Sequence, residues 1–259
     1  FGGIVQGKAA AMVLAGVLAG CHSTTLRPES VQPRSTSTSP DSFASPLEGK
    51  AQVGVVTTAG WDSFRATLRR FERTMGEWRP VGEPINAVIG RAGYGWGGGL
   101  HGDGAPQGRP GPIKVEGDGK SPAGVFGVGA AYGYAEAQPR VLLPYTQATA
   151  TLRCVDDPES VHYNAIVSST DVEVDWQSAE HMRRDDELYV LTLVVEHNTD
   201  EPKAGAGICI FFHLWNGPDI GMSGCTAMSS GALEELAQWL KPGKAAVRHV
   251  SKNSTKRGR

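Results

Sequence analysis

The chain has almost no net charge, with 25 Lys and Arg against 27 Asp and Glu over 259 residues. It lacks the global basic field that holds a nucleic acid, so no nucleic-acid partner is expected. It also lacks a long hydrophobic run. The apolar stretch from Ala9 to Ala19 is shorter than the ~20 residues that cross a bilayer. Metal-type spacing is missing: His101, His162, His181 and His197 are scattered and H-E-x-x-H never occurs. His101-Gly102-Asp103 reads as a solvated loop, and neither a metal nor an organic cofactor is expected. S-x-x-K and G-x-S-x-G are absent, which argues against two serine mechanisms. Two glycine patterns fail as nucleotide sites. Gly93 to Gly98 fits G-x-G-x-x-G, but a Gly/Pro-rich loop follows where a helix is needed. Gly119-Lys120-Ser121 ends like a phosphate loop, but Lys114 stands where the earlier glycine belongs. No internal repeat is present.

Residues 1–20 carry Lys8 ahead of the short apolar stretch, as a signal peptide does. The stretch ends in Leu18-Ala19-Gly20-Cys21, which resembles a bacterial lipoprotein signal. The resemblance implies cleavage before Cys21, a lipid on its thiol and a periplasmic, membrane-tethered protein. His22 rather than Asp after Cys21 leans towards the outer membrane in a Gram-negative cell. Residues 21–49 are rich in Ser, Thr and Pro and bury too little to offset chain entropy, so they read as a disordered tether.

Phe64, Leu68, Phe71, Met75 and Trp78 recur every three or four residues, which predicts an amphipathic helix within 50–79. From 80 to 130 the chain is broken by glycine and proline into short strands. Glu187–Glu196 and Ile208–Leu214 are stronger strands, the second apolar enough to be buried on both faces. A helix is expected after Cys225, capped by Ser229 or Ser230, with Leu233, Leu236, Ala237 and Leu240 inward. Lys241-Pro242-Gly243 ends it, and 246–259 read as a basic tail. The sum is a mainly β domain with two or three α-helices.

Four cysteines, Cys21, Cys154, Cys209 and Cys225, leave three if the first is lipidated. In an oxidising compartment one pair can bridge, and spacing leaves open which thiol stays free. Cys225 has the setting of a nucleophile. A histidine, His213, ends a buried strand twelve residues upstream, and Gly221 and Gly224 flank the turn. A thiolate is favoured by an imidazole or a helix N-terminus, and backbone amides at Gly224 and Cys225 are candidate oxyanion donors.

Ile210-Phe211-Phe212-His213 followed by Ser223-Gly224-Cys225 resembles the catalytic stretch of the YkuD-type L,D-transpeptidase family. Lys114 to Phe126, through Ser121-Pro122-Ala123-Gly124, is similar to that family's G-x-T-P-x-G-x-F/Y strand. Residues 154–182 also resemble one branch of it, and the likeness runs over roughly 80 to 240. It implies a β-sandwich domain over 80–245 and a Cys225 thioester on peptidoglycan stem peptides. His213 would be the base, oriented by a backbone carbonyl near Ser223 or by the Ser223 hydroxyl. Because that nucleophile must stay reduced, the resemblance implies a bond between Cys154 and Cys209. Arg91, Lys114 and Trp176 become candidate substrate contacts, and Glu180 and His181 candidate cleft residues. Tyr94 and Trp96 are candidates for a glycan contact. Two departures qualify the transfer step. Ser223 replaces the motif's second histidine, and Ala227 stands where an arginine is common. A peptidoglycan amidase or L,D-carboxypeptidase, and a non-catalytic wall-binding lipoprotein, are the alternatives.

Overall fold

The structure is a computed structural model, and it describes residues 45–255. The lipidation site at Cys21, the signal segment, most of the tether and the chain's last four residues lie outside the described residues. In chain order the strands are β1 Gln52–Thr58, β2 Arg65–Thr74, β3 Glu77–Val88, β4 Tyr94–Trp96 and β5 Ser121–Gly133. They continue with β6 Tyr145–Gln147, β7 Leu152–Val155, β8 Ile166–Ser168 and β9 Ala179–His181. Then come β10 Leu191–Val195, β11 Phe211–Leu214, β12 Thr226–Met228, the helix α1 Ser230–Trp239 and β13 Ala245–Ser251. The fold is mainly β, as the sequence predicts, with one α-helix among the described residues.

The main sheet runs β10-β11-β12-β3-β2-β1-β13-β5-β4, and β10 pairs again with β5. That second pairing closes the sheet on itself, so the facing layers belong to one continuous sheet around one core. Leu68, Phe126, Leu193, Phe212, Met228 and Leu233 fill it and are almost wholly shielded from solvent. The smaller sheet, β8-β7-β9, packs beside β11 through a second buried cluster that includes Cys154, Tyr189, Phe211 and Cys225.

Two expectations are corrected. Residues 62–78 are not a helix but most of the β2–β3 hairpin, turning at Met75-Gly76. Both turn residues have positive φ, 51° and 85°, the conformation of a tight two-residue hairpin loop. Met75 is 97% exposed at its tip. The strand's inward residues are Ala66, Leu68 and Arg70. Because an arginine occupies the third place, the alternation is hidden and the helical spacing stands out instead. Arg70 is buried by stacking on Trp239 and pairing with Glu235 of α1. The second correction concerns the basic tail: residues 246–251 lie in β13, between β1 and β5 in the sheet. Ala245, Ala246, Val247 and Val250 are buried along it, and Arg248 and His249 sit in its middle rather than at a solvated end. The strands β1 to β3 belong to the same unit as the rest of the described chain.

α1 agrees with the sequence. Ser229 is its N-cap residue, and Leu233, Leu236 and Ala237 are its buried face.

Candidate active site

β11 is short and wholly apolar except for its histidine. Strand alternation puts Phe211 and His213 on one face and Phe212 on the other. Tyr189 caps that first face, with its ring edge-on to Phe211 at 5.7 Å and to His213 at 5.1 Å. Tyr189 is held there because the neighbouring Leu188 carbonyl accepts the Leu214 N–H at 3.1 Å. β12 runs parallel to β11 with Ala227 opposite His213. Cys225 immediately precedes β12. Its sulfur accepts the Phe211 N–H at 3.3 Å and directs its own hydrogen at the Cys209 carbonyl at 3.4 Å. The thiol and the imidazole therefore share one cleft of 540 Å³, which Arg91, Glu180, Ser223 and Gly224 also line.

The His213 Nδ1–H donates to the Leu214 carbonyl at 2.7 Å. That bond fixes the tautomer and leaves Nε2 as the basic nitrogen. The orienting group is thus a carbonyl of β11 itself. Ser223 does not serve that role; its hydroxyl accepts from Arg91 Nη1 at 3.3 Å. Burial lowers the His213 pKa to about 4, against the raising effect of the Leu214 bond. Burial likewise pushes the Cys225 thiol up to about 12, helped by the charge of Glu180 and opposed by the Phe211 amide and Tyr189. At neutral pH both groups are uncharged. The expected thiolate does not form at rest, and α1 does not supply it. The three residues of β12, about 10 Å of extended chain, separate Cys225 from the helix.

The turn that carries Cys225 is fixed from below. Loop 215–225 is pinned to the end of β3 by Met222, whose N–H reaches Ile89 O at 2.8 Å and whose carbonyl takes the Arg91 N–H at 2.6 Å. Gly221 is required there, since a Cβ would meet Arg91 Cα at 2.7 Å. Gly224 has ordinary φ, and its part is to present backbone. Its carbonyl accepts from Ser121 Oγ at 2.5 Å, and the Cys225 carbonyl lies 3.1 Å from the same oxygen. Ser121 accepts in turn from the Gly90 N–H at 2.9 Å. Neither the Gly224 nor the Cys225 amide donates a turn or loop hydrogen bond among the described residues. Ser121 went unnoticed as a site residue, although it sits at the Thr position of the strand motif quoted above.

The other candidates divide. Arg91 lines the cleft. Lys114 also lines it, but its ammonium is committed to Asp118 and the Val115 carbonyl, both at 2.7 Å. Glu180 lines the cleft while His181, next in β9, is exposed. Trp176 is not at the cleft and packs edge-on to His162 at 5.7 Å. Tyr94 and Trp96 are buried in the core rather than at a mouth. Cys154 and Cys209 are disulfide-bonded, and Cys225 is the free cysteine among the described residues.

No protein-family model matches the chain, and no curated protein matches it. Among solved structures there is a similarity to one from Bdellovibrio bacteriovorus, Bd1075. It has 12% identity and a TM-score of 0.35, and it covers 75% of this chain and 46% of that one. The present chain thus spans less than half of that protein's length, and a likeness of this size bears on neither fold nor activity.

The buried histidines set an acid limit on stability. His213 and His249 are each held near pKa 4, chiefly by burial. In the unfolded chain they titrate near ~6.5. Between those values the unfolded state binds more protons than the native state. Their stabilising contribution is complete above the unfolded value and is lost as pH falls through the window to about 4. Each is worth up to roughly 3 kcal/mol. The urea midpoint is expected to drop steeply between pH 7 and pH 4.5. A midpoint unchanged over that range would mean that both rings are solvated.

Proposed function

We propose that the chain is a cysteine acyltransferase of the YkuD-type L,D-transpeptidase kind, acting on peptidoglycan stem peptides. Its setting would be the periplasm, tethered by a lipid on Cys21. The observation that carries this reading is the free thiol of Cys225 in one cleft with an imidazole whose Nε2 is left basic. His213 Nε2 takes the thiol proton as sulfur attacks the carbonyl of the third stem residue. The amides of Gly224 and Cys225 receive the oxyanion. The imidazolium returns its proton to the departing D-alanine amine, and a thioester remains. An acceptor amine from a neighbouring stem, deprotonated by His213, then forms the new amide and restores the thiol. Burial keeps the pair neutral at rest, so charge on the pair would develop only as sulfur attacks. Arg91, which lines the cleft beside Ser223, would meet a substrate carboxylate.

Hydrolysis is the second reading, as amidase or L,D-carboxypeptidase. It is favoured by Ala227, buried opposite His213, which offers no cation for an acceptor's carboxylate. Mass spectrometry of a defined tetrapeptide, with and without an acceptor amine, tests both. A cross-linked product supports transfer. A tripeptide and free D-alanine support hydrolysis. No product under either condition rejects the enzyme and favours a wall-binding module.

A further inference from the structure

The polar groups around the thiol form a chain that the acyl-transfer scheme does not use. Tyr189 donates its hydroxyl hydrogen to Glu180 Oε1 at 2.7 Å. Tyr189 and Cys225 pack in one buried cluster, and Glu180, Tyr189 and Cys225 all line the cleft. Strand pairing sets the distances. Glu180 of β9 lies opposite Cys154 of β7, which is bonded to Cys209, whose carbonyl faces the Cys225 sulfur. A phenol has one hydrogen to give. While Glu180 is ionised that hydrogen goes to the carboxylate, and the sulfur keeps a nearby negative charge and loses a donor.

We propose that Glu180 and Tyr189 form a donor relay that sets the reactivity of Cys225. With Glu180 protonated, its own O–H supplies the Tyr189 oxygen, and the Tyr189 hydroxyl turns to the sulfur and stabilises the thiolate. With Glu180 ionised, the hydroxyl is drawn away and the thiolate is disfavoured. The groups facing Glu180 are Tyr189, Arg184, Asp156 and Asp186, with Cys225 and His213 across the cleft. Arg184 lies 3.3 Å from Glu180 but shares its charge with Asp186 at 2.5 Å, and its guanidinium sits 5.1 Å above the Tyr189 ring. Burial outweighs these partners and raises the Glu180 pKa, which brings its neutral form closer to working pH.

This rests on Cys225 being the nucleophile, but its test needs no stem peptide. The full chain is alkylated with iodoacetamide, the adduct is located by peptide mapping, and the Cys225 rate is followed against pH. Glu180→Gln fixes the neutral donor and is expected to raise the rate at pH 8 about threefold to tenfold. Tyr189→Phe removes the last donor and is expected to lower it by a similar factor. The double variant follows Tyr189→Phe. Rates within twofold of wild type for both variants, or a slower Glu180→Gln, would overturn the relay. If Tyr189→Phe does not fold, the other two proteins decide: wild type must lose reactivity relative to Glu180→Gln as pH rises, and parallel profiles overturn it. A silent turnover assay alongside these opposed shifts would reject the substrate assignment and leave the relay standing.

Discussion

Cys225→Ala is expected to abolish stem-peptide turnover and covalent acylation while leaving the protein folded. His213→Ala should lower turnover by about 10²–10⁴-fold. The two effects differ because sulfur supplies the bond, whereas the imidazole supplies proton transfer that water can perform slowly. The pH profile follows from the same geometry. His213 must be neutral to act as base, and burial holds its pKa at about 4. Turnover per free enzyme and substrate should therefore rise with pH through about 4, ahead of the fall that ionisation of Glu180 imposes through the relay. An acid limb near the ordinary histidine value of ~6.5 would show that the ring is hydrated during catalysis. The Cys225 thiol, held up to about 12, contributes no limb in that range. Turnover that survives Cys225→Ala would remove the mechanism.

Loss of the Cys154–Cys209 bond should have the largest effect on stability. The bond closes a loop between residues 55 apart. Chain-entropy reasoning for that length gives ~4 kcal/mol, within the ~2–5 kcal/mol commonly lost when a native disulfide is removed. The replacement Cys154→Ser with Cys209→Ser is expected to lower the urea midpoint accordingly. Activity should fall as well, at temperatures where the variant is still folded. Cys209 holds φ at 52°, a conformation uncommon for a residue with a side chain. Its amide is tied to Asn164 at 2.9 Å, and its carbonyl faces the nucleophile. The bond fixes this segment to β7. Equal midpoints for variant and wild type, measured without reductant, would show that the hydrogen bonds alone hold it.

The sequence carried some of this more clearly than the rest. β10, β11 and α1 were legible because a continuous apolar run and an inward stripe of leucines at helical spacing are local signals. That His213 and Cys225 come to line one cleft was legible only as an expectation from motif order. The β2–β3 hairpin was not, since Arg70 is buried only through Trp239 and Glu235, far away in the chain. β13 was hidden for a related reason: its charged neighbours suggest a solvated end, while its partners β1 and β5 lie more than a hundred residues earlier. Glu180 was legible as a candidate cleft residue, but Ser121, buried beneath the turn, and Tyr189, in the cleft, are brought to the site by contacts of the fold rather than by spacing. The resting charge of the pair was open at the level of sequence, because the depth of burial that raises the thiol and lowers the imidazole is a tertiary property.

The central claim is that Cys225 becomes acylated. Intact-mass measurement after incubation with a carbapenem, followed by peptide mapping, tests it most directly. The account predicts a single adduct on the peptide containing Cys225, abolished by Cys225→Ala and slowed by His213→Ala. An unmodified Cys225 peptide after prolonged incubation of folded protein, or an adduct that persists in Cys225→Ala, would contradict it.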